Sequence, residues 1–201
     1  VQFLQPLKNG CKGRAVPIRF WKQKIKVSRE EFARVLLLWL ARCLSAEGLR
    51  EEAEALSAPD VGDPSLLFGF DLNSRDDLAK LLQELFVFNM WAIVVMCKAG
   101  FKDVDKCDDC LNMFHRLVYE NLLEEREEDF DTWMLSMSGQ YGQYLEAMKA
   151  ESGPVWGLTT LLSKKLFGKL ALDALLQFQM SLYITSSMGA VENLIGQYDV
   201  K

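Results

Sequence analysis

Cys97, Cys107, Cys110 and His115 are the residues of this chain whose types best suit chemistry. They are three thiols and the single imidazole, spaced C-x9-C-x2-C-x4-H. Zinc takes four thiolate, imidazole or carboxylate ligands in a tetrahedron, and Cys-x2-Cys supplies half of one. On a helix, however, Cys107 and Cys110 point about 60° apart while His115 lies about 140° round from Cys110. The three do not converge, and both thiols share a stripe with Val104, Leu111 and Phe114. The expectation is two packed core thiols, a histidine at the core's edge, no metal and no cofactor. A ligand- or metal-binding enzyme built on Cys107, Cys110 and His115 is the alternative. A redox role for the pair needs a lowered thiol pKa, and Asp103, Asp105, Asp108 and Asp109 oppose a thiolate there.

Other catalytic sets are incomplete. Ser-His-Asp chemistry needs a base, and His115 is the one histidine. No Gly-x-Ser-x-Gly, P-loop or Gly-x-Gly-x-x-Gly run occurs. Glu120, Glu124, Glu127, Glu128 and Asp131 make a dense acidic stretch. A two-metal carboxylate bundle also needs a Glu-x-x-His pair on each of two helices. Residue 112 is Asn, so the stretch reads as a solvated acidic face. These absences lean the chain away from enzymes.

Two clusters suit binding instead. Residues 18–27 interleave Ile18, Phe20, Trp21, Ile25 and Val27 with Arg19, Lys22, Lys24 and Lys26. Phe20 and Trp21 suit anchoring, and Lys22, Lys24 and Lys26 suit steering, against a protein partner. The same mixture suits an anionic membrane surface, which is the second alternative. Trp133, Tyr141, Tyr144 and Trp156 form an aromatic group between helices that would line a ligand pocket. The competing reading of such a stripe is plain core.

The elements that must hold these residues are helices. Ser28 with Glu31 is a capping box, followed by Phe32, Val35, Leu36, Trp39, Leu40 and Cys43 at helical spacing. Gly48 suggests a break before a short acidic helix to Leu56. Ala58 to Pro64 reads as loop. Ser74 with Asp77 opens a long helix to Lys98, mostly apolar from Leu81 to Cys97 and at the lower limit of a membrane span. Glu84 and Asn89 inside that run favour a buried central helix. Further helices are expected over 103–125, 132–150, Pro154 to Gly168, and Lys169 to Tyr198. Residues 1–27 carry Pro6, Gly10, Gly13 and Pro17 and read as an extended arm with at most one short strand over 16–27.

The expected fold is therefore all-α, one bundle domain of about seven helices over 28–201 behind a basic arm over 1–27. With 201 residues the chain buries enough surface to fold without disulfides. Its net charge of −5 divides into +8 over residues 1–29 and −13 over the rest. An acidic body disfavours nucleic acid. Five cysteines in no regular framework point to a reducing, cytoplasmic setting. The functional expectation is a helical adaptor that binds a protein partner through a groove and the arm, with self-association left open.

Overall fold

A computed structural model describes residues 24–56, 63, 65–123, 128–168 and 173–201. Among these residues it is an all-α bundle of seven helices with four short strands. The helices are α1 (Arg29–Cys43), α2 (Ala46–Leu56), α3 (Arg75–Gly100), α4 (Val104–Asn121), α5 (Phe130–Ala147), α6 (Pro154–Phe167) and α7 (Ala174–Gln197). The strands are β1 (Ile25–Val27), β2 (Leu66–Leu67), β3 (Phe70–Asp71) and β4 (Tyr198–Val200).

Local chemistry sets the helix starts. The Ser28 hydroxyl accepts from the Glu31 amide at 3.2 Å, and the Glu31 carboxylate accepts from the Ser28 amide at 2.7 Å. Hydrogen bonding to the carboxylate from the Ser28 amide, and next from its side chain, holds the Glu31 carboxyl below its usual range. Asp103, Asp129 and Asp173 cap α4, α5 and α7 in the same side-chain-to-amide way. The break between α1 and α2 falls at Leu44–Ser45, ahead of Gly48. Ser45 causes it: its hydroxyl takes the Gly48 amide at 3.0 Å. Gly48 instead permits the tight turn, because a Cβ there would stand 2.0 Å from the Arg42 carbonyl oxygen.

α3 is the axle, packed against α1, α4, α5, α6 and α7. It is long and apolar enough to cross a membrane. Its Leu81, Leu85, Phe88, Trp91, Ala92, Ile93 and Cys97 are nevertheless enclosed by the bundle. That enclosure explains why its apolar run is so broad.

Two small sheets complete the bundle. β1 pairs in parallel with β4, matching Ile25 with Tyr198, Lys26 with Asp199 and Val27 with Val200. The last three residues of the expected arm are thus strand, tied to the far end of the chain. Tyr198 packs edge-on against Phe32 at 5.7 Å. β2 and β3 form a hairpin turned by Phe68 (φ 53°) and Gly69 (φ 80°), the two positive angles a two-residue hairpin favours. Phe68 accepts the strain because its ring is buried edge-on against Tyr183 at 5.5 Å.

Candidate functional site

α5 and α6 run side by side through the turn at Ala150–Gly153, and an open cleft of about 530 Å³ lies along their seam. Ala147, Gly157 and Leu161 are among its apolar lining, with Trp156 and Lys164 separated along α6. Gly157 brings the helices together, because a Cβ there would meet the Ala147 carbonyl oxygen at 1.8 Å. Pro154 at the first turn and Gly153 (φ 103°) set the direction in which α6 starts. Trp156 stays 45% exposed, an aromatic face left to water beside an apolar floor. Lys164 is exposed and forms no ion pair among the described residues. The cleft therefore offers apolar contact area, one aromatic wall and one free cation.

The aromatic group expected to share one pocket is divided. Trp156 lines the cleft, whereas Trp133, Tyr141 and Tyr144 are buried in the core. Trp133 and Tyr141 pack round His115, and Tyr144 stacks on Trp91 at 5.3 Å. Sequence spacing cannot separate these cases: Trp133 and Trp156 both lie near the start of a helix, yet one is buried and the other open to water.

His115, expected at the core's edge, is 5% exposed. Its Nδ1 lies 2.7 Å from the Leu111 carbonyl oxygen, an acceptor, so Nδ1 carries the proton. Its Nε2, 3.1 Å from the Tyr141 hydroxyl, then accepts. Both ring nitrogens are engaged, leaving no lone pair for a metal. Burial lowers its pKa to about 4, against the opposing pull of the Leu111 bond. Among the described residues no group of three or more His, Cys, Asp or Glu side chains is placed to hold a metal ion.

The thiols are buried and protonated. Burial first, then the neighbouring Cys107 and Cys110, raises Cys97 well above the thiol range. Burial and then Cys107 push Cys110 up to about 11. Burial and then Asp108 raise Cys107. None is a ready nucleophile at neutral pH.

Phe20, Trp21 and Lys22 of the arm lie outside the described residues. Lys24 and Lys26 are exposed, Lys26 facing Asp199 across the ladder. Of the acidic stretch, Glu120, Glu128 and Asp131 are exposed, and Glu124 and Glu127 lie outside the described residues.

A polar seam inside the core escaped sequence reasoning. Glu84 of α3 and Lys165 of α6 stand 3.6 Å apart with side chains only 19% and 17% exposed. The Asn89 amide donates to the Tyr183 hydroxyl at 2.8 Å. Glu84 and Asn89 stood out as polar members of an apolar run, but nothing in the spacing named Lys165 or Tyr183 as their partners. Compared with family models, with curated proteins and with solved structures, the chain matches none.

Proposed function

We propose that this chain is a non-enzymatic helical adaptor that holds a segment of a protein partner in the α5–α6 cleft. The observation that carries the reading is Trp156, an exposed aromatic on an apolar cleft whose charged lining residue, Lys164, has no ion-pair partner among the described residues. Interfaces are anchored by aromatic side chains at apolar pockets and oriented by charges on the rim. The basic arm, through Phe20, Trp21, Lys22, Lys24 and Lys26, supplies a second, electrostatic contact that favours an acidic partner. The setting we assign is cytoplasmic, supported by four unpaired thiols among the described residues.

A photo-reactive amino acid at Thr160, which lines the cleft, tests the reading inside cells. It should cross-link one protein reproducibly. Trp156→Ala should remove that cross-link without lowering helicity or melting temperature. Phe20→Ala with Trp21→Ala should weaken it. A cross-linking pattern no richer than that of an exposed control at Glu30 would overturn the proposal.

A further inference from the structure

We infer that the junction of α3, α5 and α6 holds a small neutral hydroxyl-bearing ligand among Glu84, Tyr144 and Lys165. This site lies inside the bundle and does not depend on the cleft. Four buried side-chain polar atoms among the described residues lack a hydrogen-bond partner: Glu84 Oε2, Asn89 Oδ1, Trp91 Nε1 and the Tyr144 hydroxyl. Such atoms are scarce in folded proteins, because each one costs free energy. Asn89 turns towards α7, where its amide meets Tyr183. The other three belong to one junction. Glu84, Phe88 and Trp91 stand at i, i+4 and i+7, on one face of α3. Tyr144 of α5 covers that face: its ring stacks on Trp91 at 5.3 Å and meets Phe88 at 5.9 Å. Lys165 of α6 closes the third side. Its Nζ lies 5.8 Å from the centre of the Tyr144 ring and 3.6 Å from Glu84 Oε2.

The donor and acceptor roles identify the chemistry of the ligand. An ionised Glu84 only accepts, the Trp91 indole and the Lys165 ammonium only donate, and the Tyr144 hydroxyl does either. At 3.6 Å the Glu84–Lys165 contact is an ion pair but not a hydrogen bond, a separation that calls for a bridging molecule. Glu84 and Trp91 lie about 10.5 Å apart along α3, too far to satisfy each other. The bridging group must therefore donate to Glu84 and accept from Lys165. An ammonium cannot accept. A carboxylate cannot donate, and it would face Glu84. A hydroxyl does both at one oxygen and keeps capacity for Tyr144. Two sources carry that chemistry: water, and a small alcohol or polyol. The fully buried Trp91 and Tyr144 form the floor of the site. Glu84 and Lys165, each partly exposed, form the rim by which the ligand enters. A buried water makes about three hydrogen bonds to groups otherwise unpaired, and Glu84, Lys165 and Tyr144 offer such a set.

A high-resolution crystal structure of the full chain, grown and cooled without glycerol, alcohols or polyethylene glycol, reads this directly. Density should stand within hydrogen-bond distance of both Glu84 and Tyr144. A single-atom feature is water. A larger feature, with a matching added mass in native mass spectrometry, is a small alcohol or polyol retained from the cell. Tyr144→Phe removes one oxygen and none of the ring packing. It should lower the melting temperature by about 2–4 °C through the lost bond to the ligand. A hydroxyl that holds no ligand gives the opposite sign, because deleting an unpaired buried polar atom stabilises. The inference is overturned by a junction without density, or by a bound ion in place of a hydroxyl. A Tyr144→Phe chain that melts at or above the wild-type temperature overturns it too.

Discussion

His115 shows how one buried residue sets a pH limit on the whole fold. Unfolded, the imidazole titrates near 6.5; folded, its pKa falls to about 4. Above pH 6.5 it is neutral in both states and adds no pH dependence. Below that, the unfolded chain takes up a proton that the folded chain refuses, so stability falls as pH drops from about 6.5 towards about 4. By pH 5 the loss should reach roughly 2 kcal/mol. Urea unfolding at pH 7 and pH 5 measures it, and His115→Gln should remove most of the difference. An equal slope in the variant would mean that carboxylates, not His115, set the dependence. The Glu84–Lys165 pair makes a second residue-scale case. Lys165→Met leaves a largely buried carboxylate facing Tyr144 and should cost about 3 kcal/mol, because a lone buried charge is worse than a pair. Adding Glu84→Leu should restore most of that loss in the same unfolding experiment.

At the scale of elements, glycine separates two kinds of helix contact. Gly157 sits where α6 meets the backbone of α5, so Gly157→Ala must push the helices apart. We expect a loss of about 3 kcal/mol and a changed emission from Trp156, read by thermal melting and fluorescence. Gly139 lies on α5 with nothing within 4 Å of an added Cβ. Gly139→Ala should therefore stabilise by roughly 0.5–1 kcal/mol through helix propensity alone. If Gly139→Ala destabilised instead, α5 would have to pack more tightly there than its open flank allows. The same contrast explains what was legible beforehand. Seven helices could be read because caps and apolar stripes are local signals: Ser28 with Glu31, Ser74 with Asp77, Pro154 at a first turn. The β2–β3 hairpin could not, since Phe68-Gly69 lacks the Asn-Gly or Asp-Gly mark and its strained Phe68 is held by burial against Tyr183. Nor could the cleft, because it depends on the close approach of Ala147 to Gly157, a contact between helices that leaves no local mark.

The whole molecule is closed by a contact that no local pattern announces. β1 and β4 lie at opposite ends of the described chain, and their parallel pairing uses the entire bundle as its crossover. The Lys201 amide donates to the Val27 carbonyl at 3.0 Å, and Lys106 reaches the Val200 carbonyl oxygen at 3.4 Å. Val27, Tyr198 and Val200 pack on the core beside the fully buried Phe32. The ladder thus does two things at once: it covers the α1 side of the core and fixes where the basic arm leaves the bundle. Shortening the chain after Gln197 removes both. Uncovering these apolar side chains should lower stability by about 2–4 kcal/mol, and β1 loses the strand it pairs with. Lys24 and Lys26 then sit on a free tail, so trypsin should cut there several-fold faster than in the intact chain, well before the bundle unfolds. Unchanged cleavage would mean that β1 is held by α1 alone. In that case the arm's exit would be set by Ser28 and its cap, and the C-terminal strand would serve only to cover Phe32.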